Sequence, residues 1–327
     1  MHILQVADNV VPAVKYGGTE RVVWWLSKKL VEIGHEVTLL APPGSSCSFA
    51  NVLPFDPATG LDGQIPEGID VVHLHDDTAP PENTPSLRTF HGNARAAGSM
   101  HENTVFISAN QAERHGGSVF IHHGLDTQEY GQPDWKLPRE RLVFLAKAAW
   151  KVKNVRDSIT IARKAGRPIW IAGGHRLNFT MGFRLTLDPN ACFLGMVDHE
   201  RRQYYLNRGL GLLFPVKWHE PFGLALIEAL YYGNPVFGTP FGSLPEIVTD
   251  EVGFLSASRG ELAGQIRELE SFDRRRCHEY VCDRFSSEVM ARNYLNLYER
   301  VCNGEILHPE RPGWEEPEGP KYIELDN

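Results

Sequence analysis

Apolar residues follow two patterns along the chain: short continuous runs, and longer stretches in which they recur every three or four residues. Short apolar runs bounded by turn residues are typical of buried parallel strands, and recurrence at three and four is typical of amphipathic helices. The runs predict strands at residues 2–7, 36–41, 69–74, 87–90, 104–108, 118–122, 141–146, 168–172, 192–196, 210–216 and 235–239. The periodic stretches predict helices at residues 21–33, 157–165, 198–206, 222–232, 260–271, 274–284 and 287–301.

These strands and helices alternate in two blocks. The alternation predicts an α/β protein with two doubly wound Rossmann-like domains that face each other across a cleft. Residues 131–138 (GQPDWKLP) have the composition of a linker, so we expect domains at 1–138 and 139–286 and a C-terminal segment at 287–327. Residues 42–68 have little periodicity and predict a long surface excursion. The tail beyond residue 303 is rich in Pro and Glu, and we expect a surface segment in which residues 321–325 can form a short strand.

Composition and charge exclude several classes of protein. The 327 residues carry a net charge of -8, and residues 1–138 hold 8 Lys and Arg against 16 Asp and Glu, which leaves 25 of each sign for the remainder. The acidic first half argues against nucleic acid and against a broad basic face on anionic lipid, so we expect at most peripheral membrane association. No apolar run approaches the ~18 residues of a membrane span, and the N-terminus begins a strand rather than a signal peptide. We therefore expect a cytoplasmic protein.

The five cysteines are scattered and contain no CxxC pair. We interpret them as reduced thiols without a disulfide or zinc role. His73, His75, Asp76 and Asp77 follow one another at the end of a strand, but nothing elsewhere in the sequence supplies an obvious further metal ligand. No DxD pair of carboxylates is present as a metal site. We expect no metal and no cofactor.

The most informative stretch begins at Lys217 and reads KWHEPFGLALIEALYYGNPVFGTPFGSLPE. Proline suits the first helical position, so Pro221 places Glu220 in the loop before a helix that begins near Phe222. The unpaired N–H groups at such a helix start attract an anion, for example a diphosphate. Here they belong to Phe222, Gly223 and Leu224, and the glycine lets the anion approach closely.

Glu228 lies in the second turn of this helix, at a distance that suits a sugar attached to the diphosphate. Glu220, at the mouth of the helix, would reach the group on the other side. One carboxylate on each side of a diphosphate is the outline of a nucleotide-sugar site. The alternative is a common Pro-Phe-Gly turn with two solvated glutamates.

The motifs occur in a defined order: EPFGL at 220–224, a second glutamate at Glu228, GNPV at 233–236, Gly242, and PEIV at 245–248. This order resembles the E-x7-E signature of the retaining glycosyltransferases of family 4, which have the GT-B fold. The resemblance implies a hexosyltransferase-like enzyme that moves a sugar from a nucleoside diphosphate sugar to an acceptor hydroxyl, with retained configuration and without metal. It also implies that the first domain binds the acceptor, the second binds the donor, and the last helix crosses back to the first domain.

The resemblance assigns roles to individual residues. Lys147 stands where the family has an arginine of the diphosphate clamp, and Lys153 or Lys151 stands where it has a lysine, so the charge is kept but the bidentate fork is lost. His91 follows a predicted strand, where open α/β sheets bind ligands, and matches a family histidine that reaches the donor sugar. We expect catalytic roles for His91, Lys147, Lys153 and Glu220, and donor contacts from Gly17, Gly18, Gly173, Pro221, Phe222, Gly223, Leu224 and Glu228. Residues 123–126 (HGLD) resemble a family turn near the domain boundary.

Two other functions remain open. A GT-B nucleotide-sugar epimerase shares the architecture and needs no acceptor, and a non-catalytic sugar-nucleotide binding protein is favoured by lysine at position 147. The donor base, the donor sugar and the acceptor, whether a glycan, a lipid-linked molecule or a small molecule, are not readable from these motifs.

Overall fold

The computed structural model describes residues 1–12, 17–94, 96–315 and 322–326. Its strands are β1 (His2–Val6), β2 (Glu36–Ala41), β3 (Asn51–Pro54), β4 (Val71–Leu74), β5 (Ser86–Thr89), β6 (Gly98–Ser99), β7 (Thr104–Val105), β8 (Arg141–Leu145), β9 (Ile169–Ala172), β10 (Leu177–Asn178), β11 (Arg184–Leu185), β12 (Ala191–Gly195), β13 (Gly209–Phe214), β14 (Val236–Gly238), β15 (Gly253–Leu255) and β16 (Gly313–Trp314). Its helices are α1 (Gly18–Glu32), α2 (Ala109–Arg114), α3 (Thr127–Tyr130), α4 (Val155–Lys164), α5 (His199–Asn207), α6 (Leu224–Tyr231), α7 (Leu244–Ile247), α8 (Arg259–Arg267), α9 (Arg274–Arg284) and α10 (Ser287–Cys302).

Two six-stranded parallel sheets carry the fold. Their strand orders are β3-β2-β1-β4-β5-β7 and β12-β9-β8-β13-β14-β15. Counted within its own sheet, each order is 3-2-1-4-5-6, which is the doubly wound order of Rossmann folds. The predicted α/β class with two Rossmann-like sheets is confirmed.

The strands are buried because both faces of each sheet are covered. Val71, Val72 and Leu74 of β4 are at most 1% exposed, and Val72 and Leu74 belong to an apolar core that also contains Leu4 and Val6 of β1. Strands buried on both faces read as continuous apolar runs, which is why the short runs predicted them. The periodic stretches became helices, and several start at a capping side chain, such as Ser286 before α10 and Asp198 before α5.

The chain divides into two compact units, Met1–Asp126 with Phe285–Pro317, and Thr127–Arg284 with Glu318–Asn327. The division falls directly after the HGLD turn and before the expected boundary at residue 138. The expected linker at 131–138 belongs to the second unit, where the Asp134 N–H donates to Asn207 Oδ1 over 2.9 Å. Helix α10 belongs to the first unit, where it packs against α1, β4 and β5.

Several local predictions differ from the structure, beginning with the first unit. Residues 118–122 form no strand and contribute only a bridge between Phe120 and Phe106. Residues 42–68 contain β3, and their Phe55 and Leu61 are buried in the apolar core of the first sheet. This segment is therefore not confined to the surface. Helix α1 begins at Gly18 rather than at Arg21.

The C-terminal tail is partly held by the second unit. Asp326 forms a bridge with Ser258, and Leu325 is 5% exposed, whereas the predicted strand at 321–325 is not formed in the described residues 322–326. Lys321 lies outside the described residues. Among the helices that the structure describes, none combines the length and the apolar character that a membrane crossing needs.

Candidate functional site

The candidate residues of the second unit lie at the carboxyl ends of two neighbouring strands. In the second sheet the strand order reverses between β8 and β13, and open α/β sheets bind ligands at the carboxyl ends of strands on either side of such a reversal. Lys147 follows β8, and the loop after β13 leads to Glu220. The parallel sheet therefore brings together two segments that are far apart in the sequence.

Glu220 is buried in a cluster of opposite charge and aromatic rings. Lys153 Nζ lies 2.7 Å from its Oε1 and 2.6 Å from its Oε2, and Trp218 Nε1 donates to Oε2 over 2.6 Å. The ammonium also lies 5.1 Å from the centre of the Trp218 ring and 5.2 Å from that of Phe214, within the range of cation–π attraction. The predicted clamp lysine and the predicted sugar-binding glutamate thus contact each other directly.

A close backbone approach fixes the loop that carries Glu220. Gly242 has a φ of +70°, and a Cβ at this position would lie 2.2 Å from the Glu220 nitrogen. The Ser243 N–H donates to the Glu220 carbonyl over 2.9 Å. Only glycine tolerates both the positive φ and the contact, so Gly242 positions Glu220 through the backbone.

Helix α6 starts two residues later than its motif predicts. It begins at Leu224, because Gly223 adopts the left-handed conformation with a φ of +86° and acts as the N-cap. Pro221 and Phe222 are buried in the preceding loop, and Phe222 is 2% exposed. The N–H groups without an intrahelical partner at the helix start are therefore those of Gly223, Leu224 and Ala225, and Phe222 lies before them. Residues 223–225 are half-buried, so the helix end is not occluded within its own unit.

Glu228 is a buried partner in an ion pair. It is 2% exposed, and its Oε1 accepts from Arg202 Nη1 over 2.7 Å and from Tyr130 Oη over 2.5 Å. A buried carboxylate needs such compensation, because transfer of an unpaired charge out of water costs several kcal/mol. Neither Arg202 nor Tyr130 was identified from the sequence. The spacing of Arg202 and Leu206, four residues apart on α5, is the one signal that puts this arginine on a buried helical face.

Lys147 and Gly173 lie at the ends of adjacent strands. Lys147 Nζ is 5.3 Å from the centre of the Trp150 ring, a cation–π contact within its own loop. Gly173 has a φ of +120°, and a Cβ there would lie 2.0 Å from the Ala146 carbonyl oxygen. The structure thus gives Gly173 a backbone packing role between these loops. Lys151 is exposed in a 3₁₀ turn at Lys151–Lys153, whereas Lys153 in the same turn contacts Glu220.

Gly17 and Gly18 lie in the first unit, at the start of α1. Gly17 is the N-cap and Gly18 the first helical residue, and Arg21 Nε donates to the Gly17 carbonyl over 2.9 Å. A Cβ on Gly17 would meet the Glu20 carboxylate at 2.2 Å. Because Glu20 already places a negative charge at this helix start, a second anion is disfavoured there. Tyr16, which precedes these glycines, lies outside the described residues.

His91 also lies in the first unit, just after β5, and it belongs to a group of histidines. His75 Nδ1 lies 2.9 Å from His91 Nε2, and His91 Nδ1 lies 3.4 Å from His123 Nε2. Burial lowers the pKa of His91 to about 3. Burial, with repulsion from neighbouring imidazoles, also holds the pKa values of His75 and His123 well below the usual range. These imidazoles are therefore neutral near pH 7.

His73 of β4, the first residue of the histidine and acid cluster, is held by two hydrogen bonds. His73 Nδ1 lies 2.8 Å from Tyr298 Oη and its Nε2 lies 2.7 Å from Thr89 Oγ1. Among residues 1–12, 17–94, 96–315 and 322–326, no group of three or more His, Cys, Asp or Glu side chains is arranged to hold a metal ion. All five cysteines lie in these ranges as free thiols.

Comparison with known proteins links the second unit to a family. Residues 134–281 match the model of the family described as glycosyl transferases group 1. N-acetyl-alpha-D-glucosaminyl L-malate synthase of Bacillus anthracis is 30% identical over 135 residues, which cover 37% of this chain and 35% of that protein. The chain matches only about a third of the length of its curated relatives, 32% in one case and 35% in the other.

Solved structures match nearly the whole chain. AviGT4, a glycosyltransferase involved in avilamycin A biosynthesis, has a TM-score of 0.78 at 22% identity and covers 96% of this chain and 99% of its own. Anabaena HepE in complex with UDP and glucose has a TM-score of 0.62 at 14% identity, with 91% and 99% covered. At these identities the likeness shows the fold, which is that of GT-B glycosyltransferases. Residues 134–281 are therefore similar to a glycosyl transferases group 1 domain, within a fold shared with GT-B glycosyltransferases.

Proposed function

We propose that the protein is a retaining, metal-independent glycosyltransferase of family 4 that transfers a sugar from a nucleoside diphosphate sugar to an acceptor hydroxyl. The observation that carries the proposal is the pair of buried carboxylates, Glu220 and Glu228, placed before and within α6 of the group 1 domain. The bound UDP and glucose of the structural neighbour HepE support a donor of this class.

The diphosphate of the donor is proposed to bind at the start of α6. The N–H groups of Leu224 and Ala225 and the helix dipole favour negative charge there. Lys147 and Lys153 add positive charge, which stabilises the leaving diphosphate more as its charge develops. An ammonium has three N–H donors, so the two contacts of Lys153 to Glu220 leave a third donor for a phosphate oxygen.

The two glutamates are proposed to bind the sugars on either side of this diphosphate. Glu228 would accept from the ribose hydroxyls, and Arg202 and Tyr130, which both donate to its Oε1, hold the carboxylate in place. Glu220, held by Lys153 and Trp218, would accept from a hydroxyl of the transferred sugar. For His91 of the first unit we propose a catalytic role in the same reaction.

Thermal-shift titration with UDP, GDP, ADP, TDP and CDP sugars tests the donor site, and it is best done with two matched variants. Lys153→Met removes the ammonium beside Glu220, and Lys151→Met removes an exposed ammonium from the same 3₁₀ turn. We expect one donor class to raise the melting temperature of the wild type and of Lys151→Met. Lys153→Met should weaken donor binding about tenfold or more, since a charge-assisted contact contributes about 1.5–3 kcal/mol.

An equal loss of donor affinity in both lysine variants would contradict a diphosphate clamp at Lys153. An unchanged melting temperature with every donor would contradict the donor site. Transfer itself is tested with that donor and a panel of hydroxyl acceptors in the presence of EDTA, with the product anomer determined by NMR. Epimer formed from donor alone, or donor binding without any turnover, would replace the proposal with one of the two alternative functions. An inverted product or dependence on added metal would contradict the retaining or metal-independent mechanism.

A further inference from the structure

A buried polar chain in the first unit connects β1 to His91. Gln5 of β1 is 0% exposed, and its Oε1 lies 2.6 Å from His75 Nε2. The other imidazole nitrogen of His75, Nδ1, lies 2.9 Å from His91 Nε2. On its other side, Gln5 Nε2 donates to Tyr298 Oη over 3.2 Å. The single amide of Gln5 therefore connects a tyrosine of α10 with the histidine after β5.

The amide of Gln5 fixes which group donates and which accepts in each hydrogen bond of this polar chain. An amide oxygen only accepts and an amide nitrogen only donates, whereas a neutral imidazole does one at each nitrogen. Because Gln5 Oε1 faces His75 Nε2, that nitrogen carries the proton, and His75 Nδ1 must accept. His91 Nε2 then has to donate to it, which leaves the His91 Nδ1 without a proton.

The other hydrogen bonds of this polar chain can all form with the same assignment of donors and acceptors. The Tyr298 hydroxyl accepts from Gln5, so its own proton is available for His73 Nδ1, and His73 Nε2 donates to Thr89 Oγ1. The reversed amide would reverse every one of these bonds and move the His91 proton to Nδ1. The orientation of Gln5 and the tautomer of His91 are thus coupled.

We propose that Gln5 is a positioning residue that holds His91 as the Nε2–H tautomer, with Nδ1 as the acceptor. The lowered pKa values of His75 and His91 are consistent with neutral rings, in which the tautomer decides the hydrogen-bonding role. His91 Nδ1 lies 3.4 Å from His123 Nε2, longer than an ordinary N–H hydrogen bond, so this contact is weak. A role in sugar transfer rests on the function proposed above: such an Nδ1 accepts from a hydroxyl and cannot donate to a phosphate oxygen.

The tautomer can be measured in the whole protein without any ligand. Protonated and unprotonated ring nitrogens have well separated ¹⁵N shifts, and Nε2 couples to both carbon-bound ring protons whereas Nδ1 couples strongly to one. Long-range ¹H–¹⁵N spectra of ¹⁵N-histidine-labelled protein at pH 7.5 therefore report the tautomer, and His91→Asn assigns the signal. We expect a single Nε2–H form in the wild type. A proton on His91 Nδ1 in the wild type would overturn the proposal, whether or not any variant folds.

Two variants test the control by Gln5. Gln5→Met keeps a similar volume but removes both amide groups, so His91 should change from one tautomer to a mixture or to Nδ1–H. Tyr294→Phe is the matched control: it removes another buried hydroxyl of α10, which lies 2.7 Å from Thr89 Oγ1 at the far end of the chain. It should leave the His91 signal unchanged. An unchanged His91 in Gln5→Met, or an equal change in both variants, would overturn the proposal.

The outcome separates this inference from the proposed function. The Nε2–H form with the expected Gln5→Met response, together with a lack of sugar transfer, would remove the transferase assignment alone. Sugar transfer by a protein whose His91 carries its proton on Nδ1 would remove the positioning role alone.

Discussion

At the residue scale, the two motif glutamates differ in how their charge is compensated. Glu220 is paired with the lysine of a short turn and with an indole N–H, at the end of a loop. Glu228 is paired with Arg202 in the interior, where both side chains are at most 6% exposed. Removal of one partner of a buried pair leaves the other charge uncompensated, which is much more costly than the loss of an exposed pair. Glu228 is therefore a structural residue as well as a candidate ligand-binding residue.

Glu228→Gln should lower the free energy of unfolding by about 3 kcal/mol, because the Arg202 charge remains buried without its counter-charge. The control is Glu251→Gln, which removes the partner of Arg276 from a pair whose side chains are 45% and 60% exposed. That loss should be far smaller, since water solvates both groups. Urea unfolding at pH 7.5 measures both variants. Similar midpoints for Glu228→Gln and Glu251→Gln would show that the Arg202 pair contributes no more than a surface pair.

At the element scale, glycines with positive φ decide where the site elements begin and how close they come. Gly223 ends the loop before α6, which moves the helix start to Leu224. Gly242 lets the next loop approach the backbone of Glu220. Neither position could be placed by apolar periodicity, because a glycine contributes no side chain to the pattern. The motif indicated that glycines were present, but their conformations depend on the loops packed around them.

Gly242→Ala should destabilise the protein by about 1–3 kcal/mol and displace Glu220, because the new Cβ meets the backbone and an L-residue is strained at this φ. Gly264→Ala is the matched control within helix α8, where a Cβ meets nothing within 4 Å. It should stabilise the protein by roughly 0.5–1 kcal/mol through helix propensity. Thermal unfolding measures both. If Gly242→Ala left the stability unchanged or raised it, the Glu220 loop would accommodate the added Cβ at no cost in free energy, which would contradict its positioning by Gly242.

At the scale of the whole molecule, the two units share one sheet topology but carry different side chains at the strand ends. Both sheets have the order 3-2-1-4-5-6 within their own unit. At its strand ends the second unit concentrates charge, with Lys147, Lys153 and Glu220, whereas the first concentrates neutral imidazoles. The stability of the whole chain should therefore depend on pH mainly through the buried histidines of the first unit.

Stability should fall as the pH is lowered from about 6.5. The pKa of His73, His75, His91 and His123 is lower in the folded than in the unfolded chain, so the unfolded state takes up protons first. The stabilisation is complete above the unfolded pKa of about 6.5 and is lost as the pH falls toward the folded values, by about 1.4 kcal/mol per pH unit for each such histidine. Urea unfolding between pH 7.5 and 5 measures this slope.

Two variants isolate the contribution of one histidine. His123→Asn removes one titrating group. It should reduce the slope of the free energy of unfolding against pH by about 1.4 kcal/mol per pH unit, the contribution of one histidine. Thr89→Val removes a hydroxyl that contacts His73 but no titrating group, so it should lower stability without a change in slope. An identical slope in the wild type and His123→Asn would show that His123 accepts a proton in the folded state as readily as in the unfolded one.

Apolar periodicity and the ordered motifs by themselves determined the α/β class, most strands and helices, and the segment that contains Glu220 and Glu228. They could do so because burial on both faces of a parallel sheet and on one face of a helix leaves a regular trace in a local window. A short edge strand such as β3 left no such trace, whereas the apolar run at 118–122 predicted a strand where the structure has only the bridge at Phe120. In both places the structure depends on the neighbouring segments.

Only the tertiary structure decided the partners of the site residues. Lys153 with Glu220, Arg202 and Tyr130 with Glu228, and Gln5 with His75 are each separated by 26 to 98 residues in the chain. Contacts at such separations follow from the strand order and the loop paths, which no local pattern encodes. The sequence therefore determined which groups are available for the chemistry, and the tertiary structure within each unit determined which partners each group contacts.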